Sequence, residues 1–246
     1  MPRKLVVLLI LVVISAVAAG NVGVWAADEH CMDPSQAGPA YYIHRSDLDL
    51  VHILAPPPSI DSPEETADLR EVLNEQRIRT EAEVKSAKDD TCLSIFRFGD
   101  VMGPGFKSEN LPFTTQFFEH VFSDDVHAIA TAKAYFSRPR PSVADKAVKP
   151  VVKQAANAAY PSSHATFAYT AAILLADMVP EKASAIFNRA ALYANSRVVA
   201  GVHYPTDVEA GRISGSVIGN VLLHDPRFLG DLERARAEVR HAIGLH

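Results

Sequence analysis

Basic residues are in short supply. The 246-residue chain has 24 Lys and Arg against 29 Asp and Glu, a formal net charge of −5 at pH 7. A general nucleic-acid binder needs a basic surface to displace counterions from phosphates, so that class is excluded. A small cationic pocket inside an acidic shell is not. Cysteine is scarcer still, with only Cys31 and Cys92 present; two isolated thiols allow one intrachain pairing and make a poor metal site. The 16 prolines and 12 glycines follow no repeat period, which removes collagen-like and low-complexity readings. No apolar run after the first residues is long enough to cross a bilayer. The longest, 165–179, is interrupted by Thr166, Thr170 and Asp177 and has the length of a buried core helix. No Ser- or Gly-rich linker divides the chain, whose 48% hydrophobic and 22% charged content is that of one globular domain.

What is present begins with an address label. Arg3 and Lys4 form a basic head, Leu5 to Ile14 is unbroken apolar sequence, and Val24-Trp25-Ala26 offers a small-residue cleavage pattern. Residues 1–26 read as a secretory signal peptide processed after Ala26. An uncleaved anchor is the alternative, but the apolar core is shorter than the ~20 residues a span needs. Residues 27–246 then form the mature domain, which loses Arg3, Lys4 and the sole tryptophan, Trp25, and carries −7. The expected location is periplasmic or secreted, with no membrane association after cleavage. In an oxidising compartment Cys31 and Cys92 suggest a disulfide tying the N-terminal arm to the body, with two free thiols as the alternative.

Strand signals are weak and helix punctuation is frequent. Ser62-Pro63-Glu64-Glu65 supplies an N-cap, a first-turn proline and a capping-box glutamate. A helix is expected from there to about Lys88, then a shorter one over Thr91–Phe98 ending at Gly99. Gly103-Pro104-Gly105 opens a loop, and the stretch to Pro112 is a candidate for shaping substrate choice. Asn110 is expected to cap a helix that buries Phe113, Phe117 and Val121, and Ser123-Asp124 to start another that runs through Lys133 to Phe136, where Pro139 and Pro141 stop it. Further helices are expected over His164–Met178, Pro180–Ala200, Pro205 to about His224, and Asp231–Ala242. The fold class is all-α, a single-domain bundle with two long central helices.

Three clusters carry candidate chemistry. In Ser196-Arg197…His203…Asp207, a carboxylate four residues after a histidine can hold one ring N–H and leave the other nitrogen as a nucleophile. Taken alone, it equally describes a surface histidine beside a helix N-terminus. In Pro161-Ser162-Ser163-His164, a helix start offers backbone N–H groups and a hydroxyl to an anion, beside a candidate general acid; the ordinary reading is a serine cap and a solvated histidine. Lys133, at a helix end, and Arg140, held between two prolines, suit a tetrahedral oxyanion, though basic helix ends are common. Arg138 competes for the same reading. The clusters contain no metal-like grouping.

Together, Lys133-x6-Arg140-Pro141, Pro161-Ser162-Ser163-His164 and Ser196-Arg197-x5-His203-x3-Asp207 resemble the signature of the type 2 phosphatidic acid phosphatase (PAP2) superfamily. Within it, the leader, the short chain and the Pro-rich segment before Ser59 are most similar to the bacterial class A non-specific acid phosphatases. The resemblance implies the acid phosphatase / vanadium-dependent haloperoxidase fold and a metal- and cofactor-independent hydrolysis of small phosphate monoesters. It assigns His203 as nucleophile, Asp207 as its orienting carboxylate and His164 as general acid and base. Lys133, Arg140, Ser162, Ser163 and Arg197 hold the phosphoryl oxygens, and a homo-oligomer is implied. Ser163 departs from the family's glycine. A vanadium-dependent haloperoxidase, a membrane-acting lipid phosphatase and a non-catalytic phosphate-binding module are the competing readings.

Overall fold

The computed structural model describes residues 30–44 and 47–245; the leader expected at 1–26 lies outside the described residues. Seven helices of nine residues or more carry the described fold: α1 (Pro63–Ile78), α2 (Glu81–Asp89), α3 (Pro112–Phe136), α4 (Ser163–Met178), α5 (Ala183–Val199), α6 (Pro205–Leu222) and α7 (Pro226–Ala242). Among the described residues there is no β-strand, and a single antiparallel backbone bridge joins Met32 to Leu93. The all-α expectation therefore holds.

Helix α4 is the central element. Ala165, Phe167, Ala168, Ala171, Ala172, Leu174 and Leu175 are buried on several of its sides, the mark of a helix surrounded by others. Its neighbours supply Phe117, Phe118 and Phe122 from α3, Ile186 and Tyr193 from α5, Ile218 and Leu222 from α6, and Phe228, Leu232 and Val239 from α7. Helix α6 comes unusually near. Cβ atoms built on Gly211 and Gly215 would collide with the α4 backbone, the first lying 2.6 Å from the Ser162 carbonyl oxygen and the second against that of Thr166. A missing side chain every fourth residue thus lets two helix starts lie side by side, and the Ser162 N–H donates to the Asp207 carbonyl at 3.0 Å.

Several boundaries differ from the sequence expectation. The helix expected to reach Lys88 breaks at Arg79, because Thr80 and Glu83 form a reciprocal capping box that starts α2. Ser123 and Asp124 start nothing: α3 runs unbroken through 25 residues. Asp124 turns from mid-helix to accept the backbone N–H of Tyr41 at 2.6 Å and of Tyr42 at 3.1 Å. Its neighbour Asp125 accepts from the Thr170 hydroxyl at 2.8 Å. Asn110 does not cap α3 but donates its amide to the Gly105 carbonyl. Gly99 opens a short turn, Gly99–Met102, after a 3-10 segment over Ile95–Phe98, and α7 starts five residues early at Pro226, behind an Asp225 cap.

Candidate active site

Four helix ends meet where the three clusters were read. The α3 C-terminus delivers Lys133; Ser137 then takes a left-handed conformation (φ 46°) and turns the chain into the Arg138-Pro139-Arg140-Pro141 segment. The α4 N-terminus presents Ser162 as cap, Ser163 as first helical residue and His164 in the first turn. The last turn of α5 carries Arg197 and the first turn of α6 carries Asp207, with His203 in the connection between them. Helix N-termini concentrate N–H groups that have no partner within the helix, so α4 and α6 together make this region electropositive.

His203 sits at the centre and is 2% exposed. Its Nδ1 lies 3.2 Å from Asp207 Oδ2, which also accepts the Tyr204 N–H at 2.9 Å. A carboxylate only accepts, so Nδ1 carries the proton and Nε2 keeps its lone pair. Arg140 Nη1 donates to that lone pair at 3.0 Å and to the Val202 carbonyl at 3.0 Å. The rest of the Arg140 guanidinium is fixed by Asn157, through its carbonyl at 3.0 Å and its side-chain oxygen at 2.7 Å. Lys133 donates to the Ala158 carbonyl at 2.9 Å. Arg197 is buried, bonded to Ser196 Oγ at 3.0 Å and to the Ala87 carbonyl. His164 is half-buried and bonds the Thr91 carbonyl through Nε2 at 3.2 Å.

Three cations without adjacent carboxylates impose a strong field. Burial, then Arg140, pushes the Lys133 ammonium down to about 7, against a smaller upward pull from Asp207. Burial lowers the Arg197 guanidinium to about 10. Both histidines are held well below the ordinary imidazole range by burial, with Arg140, Lys133 and Arg197 adding to it at His203 and Arg197, His203 and Arg140 adding to it at His164. Burial raises the Asp207 carboxyl, partly offset by Arg138. Such a site, positive and desolvated, gains most from an entering dianion.

The eight residues singled out by sequence converge here. Ser163 causes no backbone strain: among the described non-glycine residues only Asp61 and Ser137 have positive φ, so the serine needs no glycine-like conformation. Sequence reasoning missed the groups that hold the cations and His164, namely Asn157 and the carbonyls of Ala87, Thr91, Ala158 and Val202. Backbone carbonyls leave no sequence signal, whereas Asn157 could have been flagged as a polar residue four before the Pro161 cluster. It also left Arg138 undecided. Arg138 turns away from the cradle and donates to Asp207 Oδ1 at 2.7 Å and Asp68 Oδ2 at 2.8 Å. The loop after Gly103, expected to shape substrate choice, buries Phe106 and Leu111 and packs Gly105 on the Ala242 backbone.

Comparison with known proteins finds likenesses for the same region. Residues 115–230 match the model of the PAP2 superfamily. The acid phosphatase of Zymomonas mobilis is 28% identical over 221 residues, covering 85% of this chain and 81% of that protein. The non-specific acid phosphatase of Salmonella typhimurium is 29% identical, covering 78% of this chain and 80% of its own. Among solved structures, a bacterial vanadium-dependent iodoperoxidase superposes with a TM-score of 0.56 at 17% identity over 70% of this chain, which spans about half of that longer protein (52%). That likeness is one of fold.

Proposed function

The chain carries a PAP2 superfamily domain, and on that premise we propose that it hydrolyses small phosphate monoesters, without a metal, through a phosphohistidine at His203. The relatives' shared activity makes it a phosphoric monoester hydrolase of the acid phosphatase type. The observation that supports the mechanism is the contact of His203 Nδ1 with Asp207: with Nδ1–H given to that carboxylate, the Nε2 lone pair is the nucleophile, and Arg140 already stands 3.0 Å from it.

On substrate binding the Arg140 N–H moves from that lone pair to a phosphoryl oxygen. Lys133, Arg197, the Ser162 hydroxyl and the Ser163 N–H take the remaining oxygen contacts. His203 Nε2 then forms a bond to phosphorus as the ester P–O bond breaks, and protonated His164 gives its proton to the leaving alkoxide. Neutral His164 next removes a proton from water, which attacks phosphorus; the P–N bond breaks and phosphate leaves. Phosphoryl transfer asks mostly for positioning and charge stabilisation, which the cationic side chains supply. The field that keeps His164 neutral in the free protein is reversed locally by the substrate's negative charge, which favours the protonated acid when it is needed.

The test is hydrolysis of p-nitrophenyl phosphate by purified protein in excess EDTA from pH 4 to 9, with His203→Ala beside it. EDTA-resistant turnover, highest at acid pH, lost in the variant and accompanied by an acid-labile phosphoenzyme after rapid quench, is expected. Absence of turnover at every pH, or peroxide-dependent halide oxidation in place of simple inhibition when vanadate is added, would overturn the reading. We also propose that residues 1–26 are removed on export and that the mature domain assembles as a homo-oligomer. An N-terminus at Ala27 on protein recovered outside the cytosol, and a light-scattering mass above one copy, would support each. No helix among the described residues is long and apolar enough to cross a membrane.

A further inference from the structure

Behind His203 lies a second buried array, of which Asp207 alone is a motif residue. Arg138 is 4% exposed and lies with its guanidinium carbon 3.9 Å from the centre of the Tyr204 ring. One terminal nitrogen donates to Asp207 Oδ1 and to Thr206 Oγ1, both at 2.7 Å, and the other to Asp68 Oδ2 at 2.8 Å. Asp68 is 6% exposed and also accepts from Thr206, through its backbone N–H at 3.3 Å and through its hydroxyl. Asp68 belongs to α1, outside residues 115–230 that match the family model.

We propose that Asp68 and Arg138 are positioning residues for the nucleophile, forming a chain Asp68–Arg138–Asp207–His203 that fixes the His203 tautomer and leaves the buried array one negative charge to face the imidazole. The charge count gives the reason. Arg138 alone would neutralise Asp207, and a neutral partner stabilises a positive ring poorly. A second carboxylate on the far side of the same guanidinium restores one net negative charge. That charge matters most when His203 bears the phosphoryl group, because the N-phosphorylated ring with Nδ1–H is cationic. On the opposite side His203 is faced by Arg140, Lys133 and Arg197, which disfavour a positive ring, with His164 nearby. Asp207 is the carboxylate in direct contact, and Asp68 sets how much of its charge Arg138 consumes. Thr206 ties Asp68 to the first turn of α6, so α1 registers the very turn that carries Asp207.

This inference rests on the phosphohistidine reading, and its test separates the two. The Asp68→Asn variant keeps the shape and removes the charge; Arg138→Met removes the cation. In Asp68→Asn, kcat for p-nitrophenyl phosphate is expected to fall about 10- to 100-fold, the range seen when groups supporting metal-bound histidines are removed, while competitive inhibition by inorganic phosphate stays within about twofold. The acid limb of the kcat/KM profile should move down in Asp68→Asn and up in Arg138→Met, because one removes a negative and the other a positive charge behind the ring. Ring 15N signals of His203 report the same without turnover: neutral with Nδ1–H in the parent, and doubly protonated up to a higher pH in Arg138→Met than in the parent. Arg138→Lys should restore part of the Arg138→Met loss. A kcat within twofold of the parent in Asp68→Asn, or limbs that move together in both variants with unchanged ring signals, would overturn the proposal. A parent that turns over nothing yet shows the ring-signal changes would overturn only the phosphohistidine reading.

Discussion

Lys133 shows how a single residue sets the working range of the site. Its ammonium is pushed down to about 7, so the free protein holds the full cradle charge below that pH and loses one positive charge as pH rises through it. kcat/KM for a phosphate dianion is therefore expected to fall above about pH 7, while kcat, which reports the anion-bound form, keeps its limb at higher pH. Lys133→Arg should remove the neutral-pH limb from kcat/KM. A profile whose limb stays put in that variant would assign it elsewhere. At the acid end protonation of His203, held well below the ordinary imidazole range by burial and then by Arg140, Lys133 and Arg197, closes the window. Ser163 makes a second residue-scale case. Because it starts α4 in ordinary helical backbone, Ser163→Gly is expected to change kcat/KM by less than about fivefold, the equivalent of the ~1 kcal/mol that glycine costs in a helix. A gain of two orders of magnitude in steady-state assays would mean that the serine side chain obstructs the anion. All the candidate cradle residues were legible in the sequence, since each carries its own chemistry and falls at a helix start or stop. Their holders were not, because Asn157, Asp68 and the Thr91 carbonyl are remote from the motifs and meet them only in space.

At the scale of elements, the close pairing of α4 with α6 decides where the nucleophile stands relative to the oxyanion donors. Exchanging a helical glycine for alanine ordinarily stabilises by about 1 kcal/mol. At Gly215 the added Cβ would lie against the Thr166 carbonyl and 2.9 Å from the Thr170 nitrogen, neither of which can swing aside. Gly215→Ala is thus expected to destabilise by about 1–3 kcal/mol, the usual cost of overpacking, with kcat falling as Asp207 is levered away from Ser162. Urea denaturation measures the first, and a midpoint equal to or above that of the parent would show that the helices do not need this spacing. Helix starts were well read at Pro63 and Pro205, where proline is the first helical residue, but not at Pro226, whose Asp225 cap went unread. They were misread at Ser123-Asp124, where the polar pair serves tertiary partners from mid-helix, and at Thr80, whose Thr-x-x-Glu signature was present but overlooked within a long polar run.

Across the whole molecule, the described residues ahead of α3 brace a site whose motif residues all lie after them. Arg79 of the α1–α2 connection donates to the carbonyls of Val199 and Lys149. The segment after α2 supplies the Thr91 carbonyl to His164, and its neighbour Cys92 is joined to Cys31 in a disulfide with Cα atoms 5.0 Å apart. Closing a loop over a sequence separation of 61 residues is worth about 4 kcal/mol in the chain-entropy account. Reduction is expected to lower the melting temperature by about 10 °C for a domain of this size, with KM rising as the Thr91 segment loosens. Calorimetry with and without reductant checks this, and an unmoved transition would show that the arm is held by its other contacts, among them Tyr41 and Tyr42 on Asp124.

The sequence by itself determined the all-α class, the three clusters and the chemistry each could perform, because helix caps, prolines and ionisable side chains act through local backbone and intrinsic charge. Only the tertiary structure decided which partners each of two neighbouring arginines meets. Arg138 and Arg140 are two residues apart in the same proline-bounded segment, and nothing local tells them apart. What separates them is that Asp68 and Asp207 wait on one side of that segment, while Asn157 and the His203 lone pair wait on the other. An arginine becomes a structural counter-ion or an oxyanion clamp according to the charges packed against it, and those charges come from helices far apart in the chain.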